Sequence, residues 1–263
     1  MDFKLKDRYS IDDLLNIMRI LRSPNGCPWD KEQTHHSIRN CFIEETYEAV
    51  EAIDIDDPVL LKEELGDVLL QVLFHSQLES EKNSFDFSDV VDGIAKKMIV
   101  RHPHVFGSTV VSSSDEVLVN WDAIKKETKS QTTQTEVLQS VSNALPALMR
   151  GAKVQQKAAR VGLDSPNVSV AMDQVREATQ ELKKAIASES QDGCMEEVGD
   201  LLFSVVSVSR FLNVEPEQAL GRSCDKFILH FQEMERLAKQ HGIDISLSTP
   251  VDLDLLWSQA KAN

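Results

Sequence analysis

EETYEAVEAIDIDDPVLLKEELGD, residues 44–67, carries ten carboxylates and a single base, Lys62, in 24 positions. Glu44, Glu45 and Glu48 have the spacing E-E-x-x-E, and at about 100° per residue all three fall on one helix face. Glu64 and Asp67, spaced E-x-x-D, do the same on a following helix, and DIDDP at 54–58 reads as the turn between the two. Residues level with each other across an antiparallel hairpin share a midpoint. Glu48 with Glu64, and Glu45 with Asp67, are both centred on position 56. The spacing therefore predicts a four-carboxylate cluster between antiparallel helices about 8–10 Å apart. Such crowding is costly unless a cation answers it, and hard oxygen donors without Cys or clustered His suit Mg²⁺, with Mn²⁺ as a second possibility. Mg²⁺ retains coordination positions for water and phosphate, so a phosphate-bearing substrate is expected.

Outside this stretch the apolar residues recur at intervals of three and four, and only 10 Gly and 8 Pro occur, which makes the fold class all-α. Ser10, followed by Asp12 and Asp13, reads as the cap of a first helix with the stripe Ile11, Leu14, Leu15, Met18 and Leu21. Further helices are predicted over 34–53, 58–78, 88–102 and 115–128, separated by short polar or proline-bearing joints. TKSQTTQT at 128–135 loses the apolar periodicity and has the composition of a connector. The second half of the chain repeats the first. A shift of 133 carries Glu44, Glu48, Glu64, Gly66 and Asp67 onto Glu177, Glu181, Glu197, Gly199 and Asp200; a shift of 136 carries Trp121 and Lys125 onto Trp257 and Lys261. The expected organisation is a tandem duplication of helical bundles: residues 1–127 with the intact acidic motif, a linker at 128–142, and residues 143–263 with a partly degenerate one.

The 263 residues, 41% hydrophobic and 27% charged, describe ordinary globular composition. A net charge of −15 argues against a nucleic acid polymer or an anionic membrane as partner. The polar opening and the short apolar runs predict neither a signal peptide nor an anchor, hence a cytoplasmic protein. Cys27, Cys41, Cys194 and Cys224 form no CxxC pair and are read as reduced thiols.

A phosphate site needs cations besides the metal. Lys97 and Arg101, spaced i, i+4, can share a face and meet phosphate oxygens. Trp121 with Lys125 offers an aromatic surface one turn from a charge, suited to stacking a base. His35 with His36, and His102 with His104, lack ligand spacing on a helix face, and capping or packing is the role read for them. No glycine-rich phosphate loop and no G-x-S-x-G elbow occurs.

These residues, with GCPWDKEQTH at 26–35, RHPHVFG at 101–107 and LPALMRGAKVQQKAARVG at 145–162, resemble the MazG family of nucleoside triphosphate pyrophosphohydrolases over nearly the whole chain. The resemblance implies two tandem domains of that all-α fold, a homodimer, and Mg²⁺-dependent hydrolysis of nucleoside triphosphates to monophosphate and pyrophosphate. It also implies Glu45, Glu48, Glu64 and Asp67 as metal ligands, Lys97 and Arg101 as phosphate contacts, and Trp121 as a nucleotide contact. Glu44, beside the ligands but not needed as one, is the expected general base, with Glu48 as the other catalytic candidate. The second half departs from the pattern. Ala178 stands where Glu is called for, His230 replaces the arginine expected four residues after Lys226, and Leu163-Asp164-Ser165 lacks a Trp. Glu177, Glu181, Glu197, Asp200, Lys226, Trp257 and Lys261 remain as candidates there, but activity is expected in the first half. The alternative is a non-catalytic dimerisation or regulatory module.

Overall fold

The computed structural model describes residues 3–113, 116–117, 120–121, 123–124, 131–188 and 190–262. Among these the regular structure is helical, with no strand, and the chain divides into two compact units, residues 1–125 and 126–263. The helix expected over 115–128 falls largely outside the described residues. The six of its positions that are described are helical.

In unit 1, α1 (Ile11–Arg22) starts from a reciprocal cap: the Asp13 N–H donates to Ser10 Oγ at 3.3 Å and the Ser10 N–H to Asp13 Oδ2 at 2.9 Å. Its apolar stripe buries Met18 against Ile38 and against Phe74 and Leu78 of α4 (Pro58–Ser80). After α1 the backbone doubles back so tightly that a Cβ on Gly26 would lie 2.1 Å from the Leu21 carbonyl oxygen, so only glycine closes this turn. The short helix α2 (Pro28–Glu32) comes next, in a stretch that periodicity reads as a joint. It is held from a distance. The Arg22 side chain, 6% exposed, donates from Nε and Nη2 to the Glu81 carboxylate at 2.7 Å each, donates from Nη1 to the Asp30 carbonyl, and lies over the Phe74 ring.

The helix expected from Thr34 begins only at Arg39, as α3 (Arg39–Asp54). Thr34 and Ser37 satisfy each other's N–H groups with their hydroxyls, at 2.9 and 3.2 Å, which gives the backbone an alternative to the helix. Between α3 and α4 Asp56 takes the left-handed conformation, φ 55°, and Asp57 accepts from the Val59 and Leu60 N–H groups at 2.9 and 3.1 Å, with Pro58 at the first helical position. α3 and α4 pack against each other, with Ala49 and Ala52 buried on α3. α5 (Phe87–Arg101), capped by Asp86, packs on α4 and leads into α6 (Pro103–Phe106).

Unit 2 repeats the hairpin. Within the stretch read as a connector, Thr133 and Glu136 form a capping box that starts α7 (Gln134–Gln139). Beyond it lie α8 (Ala147–Ala159), the paired helices α9 (Val168–Ala187) and α10 (Gln191–Phe211), α11 (Pro216–Gln240) and α12 (Pro250–Ala262). Met234, Leu237 and Ala238 of α11 form a core with Leu256 and Ala260 of α12. All four cysteines are free thiols. No described helix is long and apolar enough to cross a membrane.

Candidate functional site

The hairpin turn at 55–57 sets the register of α3 on α4, and with it the meeting of the acids. One carboxylate oxygen from each of Glu45, Glu48 and Glu64 lies within 4.8 Å of the others. Burial, then the charge of Asp67, then Glu48, which also hydrogen-bonds it, and Glu64 push the Glu45 carboxyl above the ordinary carboxylate range. Burial, then Glu48 and Asp67, do the same to Glu64. The strongest like-charge neighbour is thus Asp67 for Glu45 and Glu48 for Glu64, the same two pairs that share midpoint 56. No salt bridge among the described residues involves these four acids. Unanswered negative charge confined to oxygen donors is the chemistry of a hard divalent cation site, and this donor set fits one.

The other described first-half candidates differ in exposure. Glu44 is exposed and stands outside the three-oxygen set. Lys97 is exposed and Arg101 half-buried, one turn apart on α5. Trp121 is half-buried with the His102 ring edge-on to it at 4.9 Å and its indole N–H without an acceptor. His102 donates from Nδ1 to the Met98 carbonyl at 2.6 Å and packs against His104. Lys125 lies outside the described residues. His35 packs as well, coplanar with His75 at Nδ1 to Nδ1 2.7 Å and 2.6 Å from Glu79.

In unit 2, Glu177 and Glu181 on α9 and Glu197 and Asp200 on α10 line one cavity of about 710 Å³, with Ala178 among them. Among the described residues no second trio of ligand atoms comes as close as the first-half set, and Glu181 is paired with Lys184 at 2.6 Å. Lys261 Nζ lies 5.3 Å above the Trp257 ring, so the spacing-derived pair does meet. Phe227 packs on that ring at 4.8 Å, and His230 borders it edge-on at 5.9 Å. Lys226 is exposed on α11. Sequence reasoning missed the cavity itself and its wall residues Gln155 and Arg210. Neither belongs to a charged or repeated pattern, although Gln155 lies within the family-like segment 145–162.

A helical hairpin that gathers acids at its inner face, present twice in one chain, defines an all-α carboxylate-cluster protein. Comparison with known families makes this specific: the MazG nucleotide pyrophosphohydrolase domain matches residues 33–106 and 168–230, the segments that carry the two hairpins. The chain is 41% identical to the nucleoside triphosphate pyrophosphohydrolase of Escherichia coli K12, over 95% of this chain and 97% of that protein. It is 40% identical to the nucleoside triphosphate pyrophosphohydrolase/pyrophosphatase MazG of Thermotoga maritima, over 95% of both chains. It is also 45% identical to the uncharacterized protein YabN of Bacillus subtilis, over 94% of this chain and half of that protein. The chain belongs to the MazG nucleotide pyrophosphohydrolase family.

Proposed function

We propose that this protein hydrolyses nucleoside triphosphates to nucleoside monophosphate and pyrophosphate in unit 1, with Mg²⁺ as its cofactor. The enzyme class agrees with the family and with the names of the full-length relatives. The observation that carries the reading is the meeting of Glu45, Glu48 and Glu64 within ligand distance, beside the field of Asp67.

In this reading Glu45, Glu48, Glu64 and Asp67 hold Mg²⁺, or Mn²⁺, through oxygen alone. A cation held by these four residues would supply charge neutralisation for the triphosphate and for the departing pyrophosphate. Lys97 and Arg101 meet phosphate oxygens, and Trp121 offers a face to the base, with Lys125, four positions later in the sequence, as a further contact. Glu44, next to the ligands, accepts a proton from the attacking water, with Glu48 as the other acceptor within the cluster. The water oxygen bonds to the α-phosphorus as the bond from that phosphorus to the bridging oxygen breaks, and pyrophosphate leaves with the electron pair.

The functional molecule in this reading is a cytoplasmic homodimer. Ile43, Tyr47, Val50 and Ile53 form one stripe on α3 and are 42–55% exposed in the single chain, a face suited to burial against a second copy. Four free thiols agree with a reducing compartment. In unit 2 the alanine at 178 removes one ligand, which favours binding over turnover there. Pyrophosphate release by full-length Glu48→Gln and Glu64→Gln proteins tests the assignment. A fall of at least about 100-fold is expected, and undiminished turnover would overturn it.

A further inference from the structure

Glu79, His35 and His75 form a chain of two short hydrogen bonds that joins the segment before α3 to the second half of α4. His35 Nδ1 lies 2.7 Å from His75 Nδ1, with the two rings 1° from parallel. On its other side His35 Nε2 lies 2.6 Å from Glu79 Oε1, which also accepts from Lys82 Nζ at 2.7 Å. The contact stands beside the unit 1 core, in which Ile38, three positions after His35, meets Phe74, one position before His75.

The acceptors in this chain fix where its protons sit. Lys82, then His35, hold the Glu79 carboxyl at about 2, well below the ordinary 4.5, so through the neutral range Glu79 is a carboxylate that can only accept. His35 Nε2 is therefore the donor to it. The contact between the two Nδ1 atoms then needs one hydrogen, and in the neutral pair His75 Nδ1–H donates to the bare His35 Nδ1. A first added proton goes to His75 Nε2 and leaves that bond intact. A second has to go to His35 Nδ1, which sets N–H against N–H between two cationic rings.

The surroundings oppose the added charge. Burial, then His35, push the His75 imidazolium below the ordinary 6.5, and the His75 ring lies against Phe42 of α3 with centroids 5.6 Å apart. The ionised groups at the pair are Glu79 and Lys82, and His36, next in the chain, is exposed. Among the described residues no charge on α1, α3 or α5 acts on His75.

We propose that His35 and His75 are a pH-operated clasp on unit 1, which stays closed with at most one proton added to the neutral pair and opens when both rings are charged, releasing residues 34–38 from α4. The pair titrates as a unit, not as two separate histidines. Both histidines of the unfolded chain take up protons as the pH falls through about 6.5, while the closed clasp refuses the second. The folded state thus binds fewer protons below that pH. Stability present above about pH 6.5 is lost as the pH falls, by about tenfold in the opening equilibrium per pH unit for each proton refused. Glu79 keeps its charge throughout this window, so the loss belongs to the histidines.

The test takes the full-length protein, labelled with nitrogen-15 at histidine, from about pH 7.5 to about 5. Ring protonation is read by long-range proton–nitrogen NMR, and amide hydrogen exchange of residues 34–38, corrected for the intrinsic effect of pH, is read by mass spectrometry. In the folded protein one ring of the pair is expected to stay neutral at least about one pH unit below the exposed His36, and residues 34–38 are expected to exchange about tenfold faster at the acid end. His75→Phe keeps a ring beside Phe42 and is expected to abolish the pH dependence of that exchange. His35→Gln keeps a donor towards Glu79, is expected to do the same, and decides the matter if His75→Phe does not fold. Two rings that charge together with His36, exchange that does not change with pH, or a change that persists in the variants overturns the clasp. None of these readouts involves a nucleotide, so such a failure leaves the proposed function standing.

Discussion

Glu64 is crowded by acids: its oxygen lies within reach of Glu45 and Glu48, and burial, then the charges of Glu48 and Asp67, make its own ionisation unfavourable. Removing that charge relieves the repulsion in the metal-free protein. If the proposed Mg²⁺ site is right, Glu64→Gln is expected to raise the metal-free thermal midpoint while abolishing the rise expected on adding Mg²⁺ to the unmodified protein, both read by differential scanning fluorimetry. For the unmodified protein that rise corresponds to about 2.7 kcal/mol at a Mg²⁺ concentration 100 times its Kd. Arg22 is the opposite case, a buried cation whose partners answer it. Arg22→Met removes the guanidinium from Glu81, 37% exposed, which keeps Gln77 Nε2 as a donor, and from the Asp30 carbonyl, which keeps the Gln33 N–H, and is expected to cost about 2 kcal/mol in urea unfolding.

At the scale of elements, turns and caps decide whether the hairpin can present its acids. Asp57 closes the first turn of α4 by accepting two N–H groups. Asp57→Ala is expected to lose about 1 kcal/mol in chemical unfolding and, by loosening the register at position 56, to lower Mg²⁺ affinity in the same protein. Asp13 ties the start of α1 to Lys6 at 2.5 Å and to Ser10. The Lys6 ammonium, then the Ser10 N–H, hold its carboxyl at about 2, below the ordinary 3.8. The native state therefore gives up this proton more readily than the unfolded chain does. Its contribution to stability is complete above about pH 4 and disappears as the pH falls towards 2. Asp13→Asn is expected to remove that part of the acid sensitivity, measured by thermal unfolding across pH 2–5.

For the whole molecule, the stripe of Tyr47, Val50 and Ile53 on α3 leads to a prediction about assembly. Val50→Glu with Ile53→Glu is expected to convert the proposed dimer to a monomer in light scattering coupled to gel filtration; an unaltered mass would assign the interface elsewhere. The acid hairpin was legible in the chain because a helix face and a hairpin midpoint are both set by counting residues. The duplication was legible because one shift of 133 superposes five identical residues. The helix at Pro28–Glu32 was not, since it depends on Arg22 reaching Glu81, 59 positions away. Nor was the orientation of the Gln155 amide, set by a carbonyl 48 positions distant. By itself the sequence determined the long helices of the first half, the faces on which their acids stand, and the repetition of the unit, because helical periodicity is a local property of the backbone. Tertiary structure alone decided which three oxygens come within 4.8 Å, where the 710 Å³ cavity opens, and which amide oxygen its packing leaves without a partner. Those distances are set by side-chain volumes and ion pairs joining remote segments, which no local pattern encodes.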